Sequence, residues 1–165
     1  MATPSPTNAP APDFTLPNGE AEPVQLSHYR GKNVVLAFYP ADWSPVCTSE
    51  FALIQEVLGE IQGYNAEVLG ISVDNVFSHR AWSKDQRLTF PLLSDFWPHG
   101  GVARQYGVFR ENDGISERAL FFIDAEGVLR DRWVSKDPAI APGLNIIFDA
   151  LEQIAGARPK EAHHA

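Results

Sequence analysis

Val34-Val35-Leu36-Ala37-Phe38-Tyr39-Pro40-Ala41-Asp42-Trp43-Ser44-Pro45-Val46-Cys47 runs from an unbroken apolar segment into the start of a helix, and it ends on the only cysteine of the chain. The segment Val34 to Tyr39 suits a strand buried on both faces of a sheet. Ser44 is placed to cap the helix and Pro45 to be its first residue, so Cys47 falls in the first turn. Unpaired backbone N–H groups and the positive end of the helix dipole favour an anion there, and a thiolate is such an anion. Most lone cysteines are small buried hydrophobes; this position is what makes Cys47 a candidate nucleophile.

Working outward, strands and helices alternate as in an α/β layer architecture, without internal repeats. Cys47, Phe51, Ile54, Leu58 and Ile61 follow helical spacing, and Gly63 is a plausible stop for a single helix. Glu67 to Val73 reads as a second strand, followed by Asp74-Asn75 as caps of a helix reaching about Arg87 with Phe77, Ala81 and Trp82 inward. Pro91 to Asp95 is a short strand or turn, Val102 to Tyr106 a brief helix stopped by Gly107, and Asn112-Asp113-Gly114 a turn. Arg118 to Asp124 and Val128 to Val134 form a hairpin, and Leu144, Ile147, Phe148, Leu151 and Ile154 mark an amphipathic last helix.

A chain of 165 residues, 44% hydrophobic, can bury one good core as a single domain. Residues 1–12 read as a flexible arm, 13–156 as the domain, and 157–165, with His163 and His164, as a solvated tail. The formal charge of −8 argues against a nucleic-acid or anionic-membrane surface and leaves a small molecule as the expected substrate. No apolar stretch is long enough to span a bilayer, and the first residues lack the basic and apolar regions of an export signal. One cysteine cannot form a disulfide within the chain, so the reducing cytoplasm is the expected compartment. His28, His79 and His99 lack metal-ligand spacing and are expected as surface or capping residues; neither a metal nor a cofactor is expected.

The order strand, helix bearing the cysteine, strand, helix, hairpin, helix resembles a thioredoxin-like fold, with a central mixed sheet flanked by helices. Phe38 to Glu50 closely resembles the peroxidatic motif of the peroxiredoxins: a Pro, a Thr or Ser four residues later and a Cys three beyond that. Ala11-Pro12-Asp13-Phe14-Thr15-Leu16 is similar to that family's opening segment, a peroxiredoxin N-terminal extension to the fold, and Phe90 to Asp95 to its central segment. Ser116 to Asp124 resembles the strand that supplies its active-site arginine.

The resemblance implies a thiol-dependent peroxidase acting on hydrogen peroxide and organic hydroperoxides. Such a site must hold sulfur ionised, place hydrogen-bond donors on both peroxide oxygens and exclude diverting thiols. Cys47 would be the nucleophile. Ser44, where the family usually has Thr, would offer its hydroxyl; Arg118 would stabilise thiolate and transition state; Pro40 would shield the sulfur. Glu50 would orient Arg118, while Trp43 and Trp82 are candidates to wall the pocket. From local sequence alone Ser44 is equally a simple cap, Arg118 an edge arginine, Pro40 a strand terminator and Glu50 a favourable first-turn charge.

Family members that resolve within the same helix would need a cysteine at Ala52, and none follows near the C-terminus. The resemblance therefore implies a one-cysteine mechanism, with the sulfenic acid reduced by an external thiol: a low-molecular-weight thiol, thioredoxin or glutaredoxin. Phe96 to Phe122 further resembles the one-cysteine group typified by alkyl hydroperoxide reductase E, which implies a homodimer. Two other readings stay open. Ser44-Pro45-Val46-Cys47 also reads as a Cys-x-x-Cys motif with its first cysteine replaced, as in a thiol-disulfide or glutathione-linked transferase, and the fold could serve as a non-catalytic binding module.

Overall fold

The computed structural model describes residues 3–155. Strand β1 (Ala9–Pro10) precedes a hairpin of β2 (Thr15–Pro17) and β3 (Pro23–Gln25), and a 3-10 turn over Leu26–Tyr29 leads into β4 (Asn33–Phe38). Then come α1 (Pro45–Glu56), α2 (Leu58–Gln62), β5 (Ala66–Ser72), α3 (Val76–Gln86), β6 (Leu92–Ser94) and α4 (Gly101–Gln105). The hairpin β7 (Phe109–Arg110) and β8 (Ile115–Ser116) follows, then β9 (Ala119–Ile123), β10 (Val128–Val134) and α5 (Leu144–Ala155). Six strands make one mixed sheet in the order β1-β10-β9-β4-β5-β6. The central β4 runs parallel to β5 and antiparallel to β9, with Phe38 level with both Ile71 and Ala119. This is the thioredoxin-like α/β arrangement expected.

Alternation along the central strands divides the core. Leu36, Phe38, Leu69, Ile71, Phe121 and Ile123 face a cluster with Phe14, Val102, Ala103 and Tyr106. Val35, Ala37, Tyr39, Val68, Leu120 and Phe122 face the other, with Cys47, Phe51 and Ile54 of α1, Trp82 of α3, and Ile147, Ala150 and Leu151 of α5. All six residues of β4 are buried, as a strand covered on both faces requires. Small residues seat α1 on the sheet. Ala37 pairs with Gly70, and a Cβ on Gly70 would lie 2.9 Å from the Phe51 ring and 2.8 Å from Leu92.

Several expectations differ from the structure. The single helix expected up to Gly63 is broken at Val57 (φ −104°, ψ 11°), which turns α2 onto β5. In α3 the inward stripe is His79 and Trp82, whereas Ala81 is exposed and Phe77 is 70% exposed. Apolar spacing picks the wrong face here because the residue beside Trp82 in the core is a hydrogen-bonded histidine. Within the expected flexible arm, Ala9 and Pro10 pair with Leu129 and Val128, and the Ser5 N–H donates to the Tyr106 carbonyl at 3.1 Å. The polar main chain of this arm finds partners on the β10 edge, so its composition understates its order. The expected tail 157–165 lies outside the described residues.

Candidate active site

The loop after β4 carries the site. The Tyr39 N–H continues the sheet by donating to the Ile71 carbonyl at 3.1 Å, and Pro40, buried, ends the pairing. Trp43 takes a left-handed conformation (φ +70°) that a bulky residue adopts only when its surroundings impose it, and its ring points outward, 53% exposed. Ser44 then caps α1 by conformation (φ −71°, ψ 145°), and its carbonyl accepts from the Thr48 N–H at 2.9 Å. Its hydroxyl does not act as a cap. Ser44 Oγ makes no bond to the helix N–H groups and is buried without a partner. Pro45 occupies the first helical position, and Cys47 lies in the first turn with no exposed surface, among Tyr39, Phe51 and Trp82 in the core cluster.

Arg118 meets this helix through Glu50. It stands one residue before the Ala119–Phe38 pair, so the sheet register delivers it to the end of β4 from which the loop departs. Its Nη1 donates to Glu50 Oε1 at 2.7 Å and its Nε to the Pro138 carbonyl at 2.8 Å. Both side chains of the ion pair are 2% exposed. A guanidinium has five N–H donors and these two acceptors do not exhaust them. Glu50 Oε2 is buried without a partner. Burial raises the Glu50 carboxyl to about 7, with the charge and hydrogen bond of Arg118 working in the opposite direction.

Ser44, Cys47 and Glu50 thus lie at the first turns of one helix, with Arg118 joined to it through Glu50 and Pro40 buried in the loop that leads into it. Trp82 does not open onto a pocket: it is buried, its ring 5.5 Å from Tyr39 and 5.6 Å from Phe51, with Nε1 unpartnered. Trp43 faces outward. A cleft of about 700 Å³ lies along α3 beside Arg80, Ser83, Lys84 and Arg87, and none of the five lines it.

The sequence reading missed a second set of residues around the loop. Asp42 is buried, its Oδ1 accepting from Tyr39 Oη at 2.6 Å and its Oδ2 lying 2.8 Å from His79 Nδ1. His79 Nε2 is 3.0 Å from the Leu93 carbonyl, which corrects its expected surface position; His28 and His99 are exposed as expected. The Asp42 N–H donates to Asp74 Oδ2 at 2.8 Å. Burial and the Asp42 carboxylate push the Tyr39 phenol well above its ordinary range, keeping it a donor. The spacing of His79 with Trp82, one turn apart, was the available signal. Asp42, Asp74 and His79 offer ligand atoms within 4.8 Å of one another, but these atoms already bond to each other and to their protein neighbours.

The AhpC/TSA family model matches residues 7–132. Alkyl hydroperoxide reductase E of Mycobacterium tuberculosis is 43% identical over 123 residues, covering 74% of this chain and 80% of its own length. Peroxiredoxin-1 of Gallus gallus is 39% identical over 140 residues, covering 78% of this chain and 69% of its own. The crystal structure of Enterococcus faecalis AhpC matches with a TM-score of 0.82 at 31% identity, covering 89% of this chain and 90% of that one. Peroxidoxin BcpB from Mycobacterium tuberculosis gives 0.78 at 31% identity, covering 96% and 99%. With a buried thiol at a helix start, an arginine delivered to that helix and relatives of this kind, the chain belongs to the AhpC/TSA family, the peroxiredoxins, and is a thiol-dependent peroxidase.

Proposed function

We propose that Cys47 is the peroxidatic residue of a one-cysteine mechanism. The Cys47 thiolate attacks one oxygen of the peroxide; the O–O bond breaks, sulfur keeps that oxygen as a sulfenic acid, and the other oxygen leaves and takes a proton as water or alcohol. Charge moves from sulfur to the departing oxygen. Arg118 supplies the fixed positive charge and Ser44 the hydroxyl that follow this shift, Glu50 holds the guanidinium in place, and Pro40 shields the sulfur. The observation that carries the reading is the orphaned Ser44 hydroxyl beside a helix to which a buried arginine is pinned. A hydroxyl that neither caps nor bonds is available to a ligand.

Because Cys47 is the only cysteine, the sulfenic acid must be resolved from outside the chain. A thiol R–SH condenses with it, releasing water and forming Cys47–S–S–R; a second thiol then frees Cys47 and leaves as the disulfide R–S–S–R. A low-molecular-weight thiol, thioredoxin or glutaredoxin would serve in a reducing cytoplasm. Among the described residues no helix is long and apolar enough to cross a membrane. A homodimer formed beside the site is supported by Trp43 and Phe77, two exposed large apolar side chains, the first next to Asp42 and the second two residues before His79 in the chain. Family membership leaves the transferase and the non-catalytic module without support.

Mass spectrometry tests the mechanism. One equivalent of hydrogen peroxide added to reduced protein should add a single oxygen to the mass, in a form trapped by a sulfenate-specific nucleophile and restored by an added thiol. A quantitative Cys47–Cys47 dimer as the normal product would overturn it.

A further inference from the structure

The proposed one-cysteine cycle, on which this inference rests, makes opposite demands on α1. Peroxide reduction needs the first turn closed around Cys47, yet the same sulfur, with no exposed surface, must meet an external thiol after oxidation. What sets the balance is whatever holds the loop that starts the helix.

We propose that His79 is a positioning residue for this loop, anchoring it through Asp42 and thereby setting how often Cys47 becomes accessible to thiols. The two side chains have no exposed surface and lie 2.8 Å apart, 37 residues distant in sequence. His79 Nε2 faces the Leu93 carbonyl, so the contact of Nδ1 with Asp42 Oδ2 requires a proton shared between them. The remaining Asp42 atoms are engaged as well: Oδ1 by Tyr39 and the N–H by Asp74, whose Oδ2 also accepts from Ser72 Oγ at 2.5 Å. The anchor therefore ties the loop to β4, β5, α3 and β6 at once.

Immediately beyond it the chain is least comfortable. Trp43 sits at φ +70°, a conformation that persists only under external constraint. Pro45 has no N–H, and the Thr48 N–H to the Ser44 carbonyl is the backbone bond that closes the first turn. Releasing Asp42 lets Trp43 return to ordinary φ and carries Ser44 and Pro45 away from Cys47, while the rest of α1 stays seated through Phe51 on Gly70. His79 touches neither sulfur nor peroxide in this scheme; it acts through Asp42.

The test compares two rates at Cys47 in the full chain: alkylation of the reduced thiol by iodoacetamide, which reads opening, and oxidation by hydrogen peroxide, which reads the closed site. His79→Leu should raise alkylation and lower oxidation, each by roughly tenfold or more, as loss of a buried charge-assisted hydrogen bond implies. Asp42→Ala, a loop substitution, should act in the same direction and decides the matter if His79→Leu does not fold. Asp42→Asn should restore both rates, since its amide oxygen accepts from Tyr39 and its amide N–H donates to Nδ1 of a neutral imidazole. Leu129→Ala, buried in the opposite core cluster and comparably destabilising, should leave the ratio of the two rates unchanged. An unchanged ratio in folded His79→Leu or Asp42→Ala, or an equal change in Leu129→Ala, would overturn the proposal. Failure of the wild-type thiol to be oxidised would instead remove the peroxidatic role of Cys47, whatever the alkylation rates.

Discussion

Glu50 and Arg118, 68 residues apart in the chain, meet at 2.7 Å with both side chains almost wholly buried. One belongs to the helix that begins beside Cys47 and the other precedes the strand paired with β4, so this contact brings a cation to the thiol's helix. A buried arginine held by one carboxylate and the Pro138 carbonyl loses little freedom when a substrate arrives, which is the condition for electrostatic catalysis.

Arg118→Ala should therefore slow the oxidation of Cys47 by hydrogen peroxide about a hundredfold or more, the scale of losing a preorganised donor. Arg118→Lys should recover only part of the rate, because an ammonium cannot reach Glu50, Pro138 and a peroxide with one planar fork. Stopped-flow tryptophan fluorescence of the reduced protein measures this directly. A rate for Arg118→Ala equal to wild type would remove the arginine from the mechanism.

The Ser44 hydroxyl should be required and its missing methyl should not. Ser44→Thr is expected to keep the oxidation rate within a few-fold, and Ser44→Ala to lose about ten- to a hundredfold, in line with removal of one hydrogen bond to developing charge. Because Oγ does not cap α1, the Ala variant should also unfold at nearly the wild-type denaturant concentration. Equal oxidation rates for Ser44 and Ser44→Ala would assign the hydroxyl no catalytic part.

Glu50 makes stability pH-dependent with a definite sign. Its carboxyl titrates at about 7 in the folded protein against an ordinary value of 4.5, so between these values the folded state binds more protons than the unfolded one. Its contribution is accordingly favourable at low pH and is lost as pH rises through that window. Urea midpoints of wild type and Glu50→Gln, measured from about pH 5 to 8, should differ by an amount that changes over this range, wild type losing ground as pH rises. A constant difference would place Glu50 at an ordinary carboxylate value.

At Gly70 a methyl group would enter space held by Phe51 and Leu92. Gly70→Ala should destabilise by about 1–3 kcal/mol, the usual cost of overpacking, despite the lower backbone entropy of alanine. Since Phe51 lies one turn past Cys47 on α1, the iodoacetamide labelling rate of Cys47 should rise along with the loss of stability. Wild-type stability would show that α1 shifts freely over the sheet.

Much of this protein was legible from residue order. The apolar run Val34 to Tyr39 became the central strand, Ser44-Pro45 began the helix, and the hairpin turning between Asp124 and Val128 formed as read, because each depends on local periodicity or terminal chemistry. Resemblance over several ordered segments supplied the family and singled out Arg118, which composition alone would have left as an edge residue. The helix expected to Gly63 failed at Val57, where packing of α2 on β5 overrides a continuous apolar stripe.

What the sequence determined by itself was the alternation of elements, the placement of Cys47 at a helix start and its isolation from any second thiol in the chain. What only the tertiary structure decided was which polar side chains are taken inside: Glu50 against Arg118, Asp42 against His79, and Ser44 Oγ against nothing. Periodicity records apolar burial and is blind to polar groups that become tolerable in the core only when a distant partner satisfies them. Such partners lie 37 and 68 residues away, and only the tertiary fold brings one to the loop after β4 and the other to the helix that the loop opens.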